Sequence, residues 1–367
     1  MASSVEILLH LIRHALKQEG LISLPADIMW DDVISLATTN GLDAISFDGL
    51  QAVYDRLSSS DAVELDKSLG ERRYGWMGLT LQAEQDFEAY SHKLFDLVTL
   101  LEKEGFPVLI LKGYGLSLYY PVPAHRPTGD IDMFLFGHGK DADAFIINKL
   151  GKDVKQNEDK HSTFQFRGLA VENHATFLNT LEHKSLIAIE TYLERESLSS
   201  PTVSIEGAVF HVLSTTMNAI FLPCHIASHF VFGGIHLKQL TDWAVFVMKQ
   251  GKHIDWDIPR KLSTDAGFFE FFRALNEIVV EQFGVSPDCL PDWGFDRDLV
   301  DRIWADTLHP RKDLINRNVL EKVIDYFSAS WKYRLVYRDS MFTNFFRHSW
   351  ASFRGKYLPK SRSVWSQ

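Results

Sequence analysis

The sequence predicts an α+β protein: a small mixed β-sheet core carrying N-terminal helices and followed by a larger C-terminal helical domain. Three observations predict it. Apolar residues recur at i, i+3, i+4 spacing up to about residue 105 and again beyond about 181. Between them, over about 106–178, short apolar runs and period-two alternation, broken by Gly and Pro, replace that pattern. The length of 367 residues exceeds what one core usually organises, and suggests about two domains. The expected divisions are 1–80 for the N-terminal helical segment, 81–180 for the α/β core and 181–367 for the C-terminal helical domain.

The elements follow in chain order. Residues 3–18 and roughly 30–58 carry the helical period, and 80–104 form a long helical pattern stopped by Gly105. Phe106–Leu111 is an apolar run of buried-strand length. Gly113 and Gly115 open a helix-like stretch to Tyr120, and Pro121, Pro123 and Pro127 mark a loop. Residues 130–136 alternate as a strand, with Asp130 and Asp132 on one face and Ile131 and Met133 on the other. A helix is expected over 138–150, and strands over 163–167 and 169–174, joined at Gly168. The rest reads as helical, with breaks near 196–206, 251–256, 285–295 and 309–314.

Composition narrows the function. With 46% hydrophobic and 23% charged residues, the chain has ample apolar surface to bury. A net charge of −10 argues against a surface built throughout for nucleic acid. The charge is uneven: from Trp331 onward eight Lys or Arg face one acid, Asp339, so this tail is about +7 and the remainder about −17. The aromatic, basic tail suits either an acidic surface or a final amphipathic helix packing its rings inward. Two cysteines, Cys224 and Cys289, are too few for a disulfide framework or a Cys-based zinc site. The N-terminal apolar run contains His10, Arg13 and His14, so it reads as an amphipathic helix and not a signal peptide. No apolar run reaches membrane-spanning length, and a cytoplasmic protein is expected.

The residues that carry chemistry cluster in LKGYG (111–115), RPTGDIDMFL (126–135) and VENH (171–174). Asp130 and Asp132, two apart on a strand, project from one face and repel each other unless a cation intervenes. Hard carboxylate oxygens suit Mg²⁺, though a solvated strand edge gives the same pattern. Gly113, between strand and helix, lets a phosphate approach the backbone, and Lys112 supplies charge; a plain strand-to-helix turn also favours glycine. Glu172 lies in an apolar strand, where a charge needs a partner or an edge facing water. Arg126 either grips a triphosphate or pairs with Asp130. His225 and His229 share one helix face at zinc-ligand spacing, but Ile226 stands where the metalloprotease glutamate belongs, and polar histidines of the core or cleft fit the pattern. Asp242 is expected to pair with one of them or with Lys238.

Taken in order, these pieces resemble the nucleotidyltransferase superfamily that includes DNA polymerase β. More closely, L-K-G, Y-P, R-P-x-G-D-I-D and V-E-x-H, with the later His225, His229 and Leu237–Ala244, resemble a bacterial family known only as nucleotidyltransferase-like, over about residues 80–250. The resemblance implies that Asp130, Asp132 and Glu172 hold Mg²⁺ (or Mn²⁺) and are catalytic. It implies a nucleoside triphosphate substrate met by Lys112, Gly113, Tyr114, Arg126, Gly129, His174, His225 and His229. One departure stands out: the superfamily opens its helix with Gly-Ser, and this chain has Lys112-Gly113-Tyr114. The expected activity is transfer of a nucleoside monophosphate from an NTP to an unidentified hydroxyl acceptor (small molecule, protein or RNA end), with pyrophosphate release. Two alternatives stand beside it: a nucleotide-binding or protein-interaction module without turnover, and a phosphohydrolase combining the two histidines with the Asp pair.

Overall fold

The computed structural model describes residues 3–17, 24–25, 27–157, 161–309 and 330–339. The tail beyond Asp339 lies outside the described residues, and with it most of the basic aromatic segment. The chain is α+β: helices surround one mixed, open sheet.

The N-terminal helices are α1 (Ser4–Ala15), α2 (Trp30–Thr39), α3 (Asp43–Tyr54), α4 (Ser59–Leu69) and α5 (Arg72–Lys103). Ser3 starts α1 by a reciprocal cap: its hydroxyl accepts from the Glu6 N–H, and the Glu6 carboxylate accepts from the Ser3 N–H at 2.7 Å. The helix expected over 30–58 is two helices, because Gly41 takes a positive φ of 64° and breaks the ladder. The long helix begins at Arg72, eight residues before the expected start.

The core elements are β1 (Leu109–Ile110), α6 (Tyr114–Ser117), β2 (Ile131–Phe134), α7 (Gly139–Leu150), β3 (Lys155–Asn157), β4 (His161–Phe166) and β5 (Leu169–His174). After α8 (Ile187–Ser197) come β6 (Thr202–Ile205), inside the break expected near 196–206, and β7 (Ala208–Val212), in a stretch expected to be helical. The sheet order is β3-β4-β5-β2-β1-β7-β6, with β2–β5 and β1–β7 parallel and the other neighbours antiparallel. Two of the hairpins, β4–β5 and β6–β7, turn through a residue and a glycine of positive φ: Arg167-Gly168 and Glu206-Gly207. Such turns match the twist of the flanking strands.

Alternation assigns the sheet's two faces. Ile110, Ile131, Met133, Val171 and Phe210 point to one side and pack under α5 and α7 with Leu94, Val98 and Leu101. Each of these fully buried side chains contributes roughly 1.5–3 kcal/mol. Leu109, Leu111 and Phe134 point to the other side and join the core of the N-terminal and C-terminal helices. The latter are α9 (Thr215–Phe232), α10 (Leu237–Gln250), α11 (Asp257–Ala266), α12 (Phe269–Phe283), α13 (Arg297–Leu308) and the helix Ser330–Val336. Asp132 and Glu172 therefore lie on the face toward α9 and α10, opposite the face packed under α5 and α7. No helix among the described residues is long and apolar enough to cross a membrane. Both cysteines are free thiols.

Candidate active site

β2 and β5 run parallel with Asp132 opposite Glu172 and Phe134 opposite His174. The pleat period of two puts Asp132, Glu172 and His174 on one face. His174 Nε2 lies 3.0 Å from Asp132 Oδ1 and 3.3 Å from Glu172 Oε2. Lys112 Nζ lies 2.9 Å from the same Asp132 oxygen. The ligand-capable atoms of Asp132, Glu172 and His174 all fall within 4.8 Å of one another. His161, across the β4–β5 ladder, stacks on His174 with ring centroids 5.4 Å apart.

Electrostatics follow from these contacts. Burial of Asp132 opposes its ionisation, but the hydrogen bond from His174 and the Lys112 charge hold its carboxyl well below the usual range. The His174 hydrogen bond likewise keeps Glu172 low against partial burial. Burial pulls His174 down, and the hydrogen bonds to the two acids more than restore it. Asp130 precedes β2 and is more open to solvent; burial of its carboxyl by the cavity walls and the charge of Asp132 push it up.

These side chains line one cavity of about 690 Å³ between the sheet and helices α9 and α10. Asp130, Asp132, Glu172, Lys112, Gly113, Arg126, Gly129, His174, His225 and His229 all border it. Tyr114 does not: its ring packs in the core on the far side of the sheet, stacked on Phe87 at 5.6 Å and edge-on to Phe95 and Phe210. Gly113 has φ 55° and ψ −115°, and a Cβ there would lie 2.7 Å from the Tyr90 hydroxyl. Only glycine fits that backbone without strain.

Arg126 pairs with Asp242 and not with Asp130. Nε and Nη2 donate to the two carboxylate oxygens of Asp242, at 2.8 and 3.0 Å, and Nη1 donates to the Gly113 carbonyl at 3.0 Å. Tyr120 donates its hydroxyl to Asp242 at 2.8 Å. Asp242 thus binds Arg126, in place of the expected histidine or Lys238 partner, and the pair ties α10 to the Gly113 turn. The metal-capable group found among the described residues is Asp132, Glu172 and His174, so Asp130, His225 and His229 border the cavity outside that group.

Sequence reading missed His161, Ser228, His236 and Gln239 on the cavity wall, and left Lys238 as a partner for Asp242 only. His161 carried a signal, since period-two alternation puts it level with His174 once β4 is extended back by two residues. Lys238 and Gln239 lay inside the Leu237–Ala244 segment of the resemblance, but their approach to the sheet is a tertiary fact that the segment alone does not give.

The sheet thus carries carboxylates on one face, with a glycine turn beside them and a helical wall opposite. A family model described as "Uncharacterised nucleotidyltransferase" matches residues 26–284, more than two-thirds of the chain. The chain belongs to that family. Comparison with curated proteins and with solved structures gives no match.

Proposed function

We propose that the protein is a Mg²⁺- or Mn²⁺-dependent nucleotidyltransferase that moves a nucleoside monophosphate from an NTP to a hydroxyl acceptor. The observation that carries this reading is the convergence of Asp132 and Glu172, from two strands, on the cavity wall that also holds Asp130. Two carboxylates and an imidazole within 4.8 Å form a donor set that suits a hard or borderline divalent cation. Asp132 and Glu172 are the residues of that set that would hold it, with Asp130 on the same cavity wall as the third carboxylate of the proposed site. When bound, such a cation would offset phosphate charge and acidify the acceptor hydroxyl.

The chain's own groups supply position and charge. Gly113 and Lys112 line the cavity at the turn, where the Lys112 ammonium faces the site. The Arg126–Asp242 pair fixes that turn against α10. The acceptor oxygen bonds to the α-phosphorus, the bond from that phosphorus to the bridging oxygen breaks, pyrophosphate leaves, and the hydroxyl proton passes to solvent. A cavity of about 690 Å³ falls in the range of sites for drug-sized ligands.

A second reading, a nucleotide-binding or interaction module without turnover, is favoured by one observation. Lys112 and His174 already offset the Asp132 charge, so the acids are tolerable without a cation. The two separate by assaying pyrophosphate release from each of the four NTPs, with cell extract as the acceptor source. Release that requires metal and disappears in Asp132→Asn supports turnover; nucleotide binding without release at any metal concentration supports the module.

A further inference from the structure

Three Lys or Arg side chains border the cavity: Lys112, Arg126 and Lys238. Two are matched by carboxylates at contact distance, Lys112 with Asp132 and Arg126 with Asp242. Lys238 is the exception. It is the second residue of α10 and half-buried, and among the described residues no carboxylate oxygen comes within 4.0 Å of its ammonium. Asp242, one turn later on the same helix, is committed to Arg126 and Tyr120.

A partly desolvated ammonium without a contact anion is costly, and a bound anion removes that cost. Burial, helped by the neighbouring Arg126 charge, pushes the Lys238 amine down against the opposing pull of Asp242 and Asp130. Asp130, Asp132 and Glu172 lie on the sheet side of the cavity and Lys238 on the helical side, where the neighbouring acid, Asp242, is already neutralised by Arg126. A ligand spanning both sides carries negative charge at the end remote from the acids.

We propose that Lys238 is the contact for the terminal phosphates of the substrate, so that the cavity prefers a nucleoside triphosphate over a monophosphate and also receives inorganic pyrophosphate. This rests on the nucleotidyl-transfer reading and adds a residue and a selectivity to it. The ammonium donates to phosphate oxygens as a point charge, so arginine replaces it only in part.

The test is calorimetry on the full chain with inorganic pyrophosphate, the four NTPs and the four NMPs, all with Mg²⁺. Wild type is compared with Lys238→Met, which keeps the apolar stem, and with Lys238→Arg. The expected result is a loss on the order of tenfold or more in pyrophosphate and NTP affinity in Lys238→Met. NMP affinity changes less than about twofold, and Lys238→Arg falls between the two. Thermal melting of each variant establishes that it is folded. A Lys238→Met protein that binds pyrophosphate and NTP as wild type does overturns the subsite alone. So does a wild type that binds NMP and NTP equally. A wild type that binds no nucleotide and no pyrophosphate overturns the nucleotide reading and the subsite with it.

Discussion

Asp132 and Glu172 stand directly opposite each other on neighbouring parallel strands, with His174 Nε2 within hydrogen-bond reach of both carboxylates. Strand pairing alone brings two like charges together here, and Lys112 and His174 make that tolerable. Removing the Asp132 charge should therefore act on chemistry more than on folding. Asp132→Asn is expected to lower NTP turnover by roughly 10²–10⁴-fold, in line with loss of a group that stabilises transition-state charge. Steady-state pyrophosphate release at saturating metal measures it, and a loss under tenfold contradicts the role.

Arg126 and Asp242 form a buried, bidentate pair that also holds the Gly113 carbonyl and the Tyr120 hydroxyl. Asp242→Ala strands a buried guanidinium, and is expected to cost about 3–5 kcal/mol in urea denaturation. The double change Arg126→Met with Asp242→Leu is expected to cost less than Asp242→Ala alone. Equal losses would show that the charge pair is not what the site relies on.

Gly113→Ala forces a Cβ into a positive-φ position 2.7 Å from the Tyr90 hydroxyl. A destabilisation of roughly 1–3 kcal/mol is expected. Combining it with Tyr90→Phe should recover only the steric part, leaving the backbone strain. Melting temperatures of the two single variants and the double variant separate the contributions.

His125 links the Pro-rich loop to the N-terminal helices: Nδ1 lies 2.6 Å from Asp48 and Nε2 3.0 Å from Glu84. Burial lowers its basicity, but the two carboxylates outweigh burial and the imidazole titrates above its usual value. A group raised in the folded state stabilises fully below its unfolded pKa, and that stability is lost as pH rises through the folded pKa. Stabilisation is therefore expected near pH 6, fading at higher pH, and reduced by solvent around the partially exposed acids. Melting of wild type and His125→Gln across pH 5.5–9 checks it: the gap between them narrows as pH rises.

The helix-sheet-helix plan and the acid pair were legible because each rests on local periodicity. Glu172 was legible for a different reason, since a charge in an otherwise apolar strand demands a partner. The strands β6 and β7 were not found. Each has only four or five residues, and Glu206-Gly207 reads as a loop until β7 is seen to pair with β1. Tyr114 looked like part of the phosphate turn because it follows Gly113, yet a short helix turns its ring through to the opposite face of the sheet. Arg126 and Asp242 are 116 residues apart, and nothing local announces that pairing.

The most direct test is calorimetric titration of the four NTPs, with and without Mg²⁺, into wild type and into Asp130→Asn/Asp132→Asn. The proposed site predicts metal-dependent binding of at least one NTP to wild type and none to the double variant. Equal binding by both proteins, or wild-type binding indifferent to metal, contradicts it.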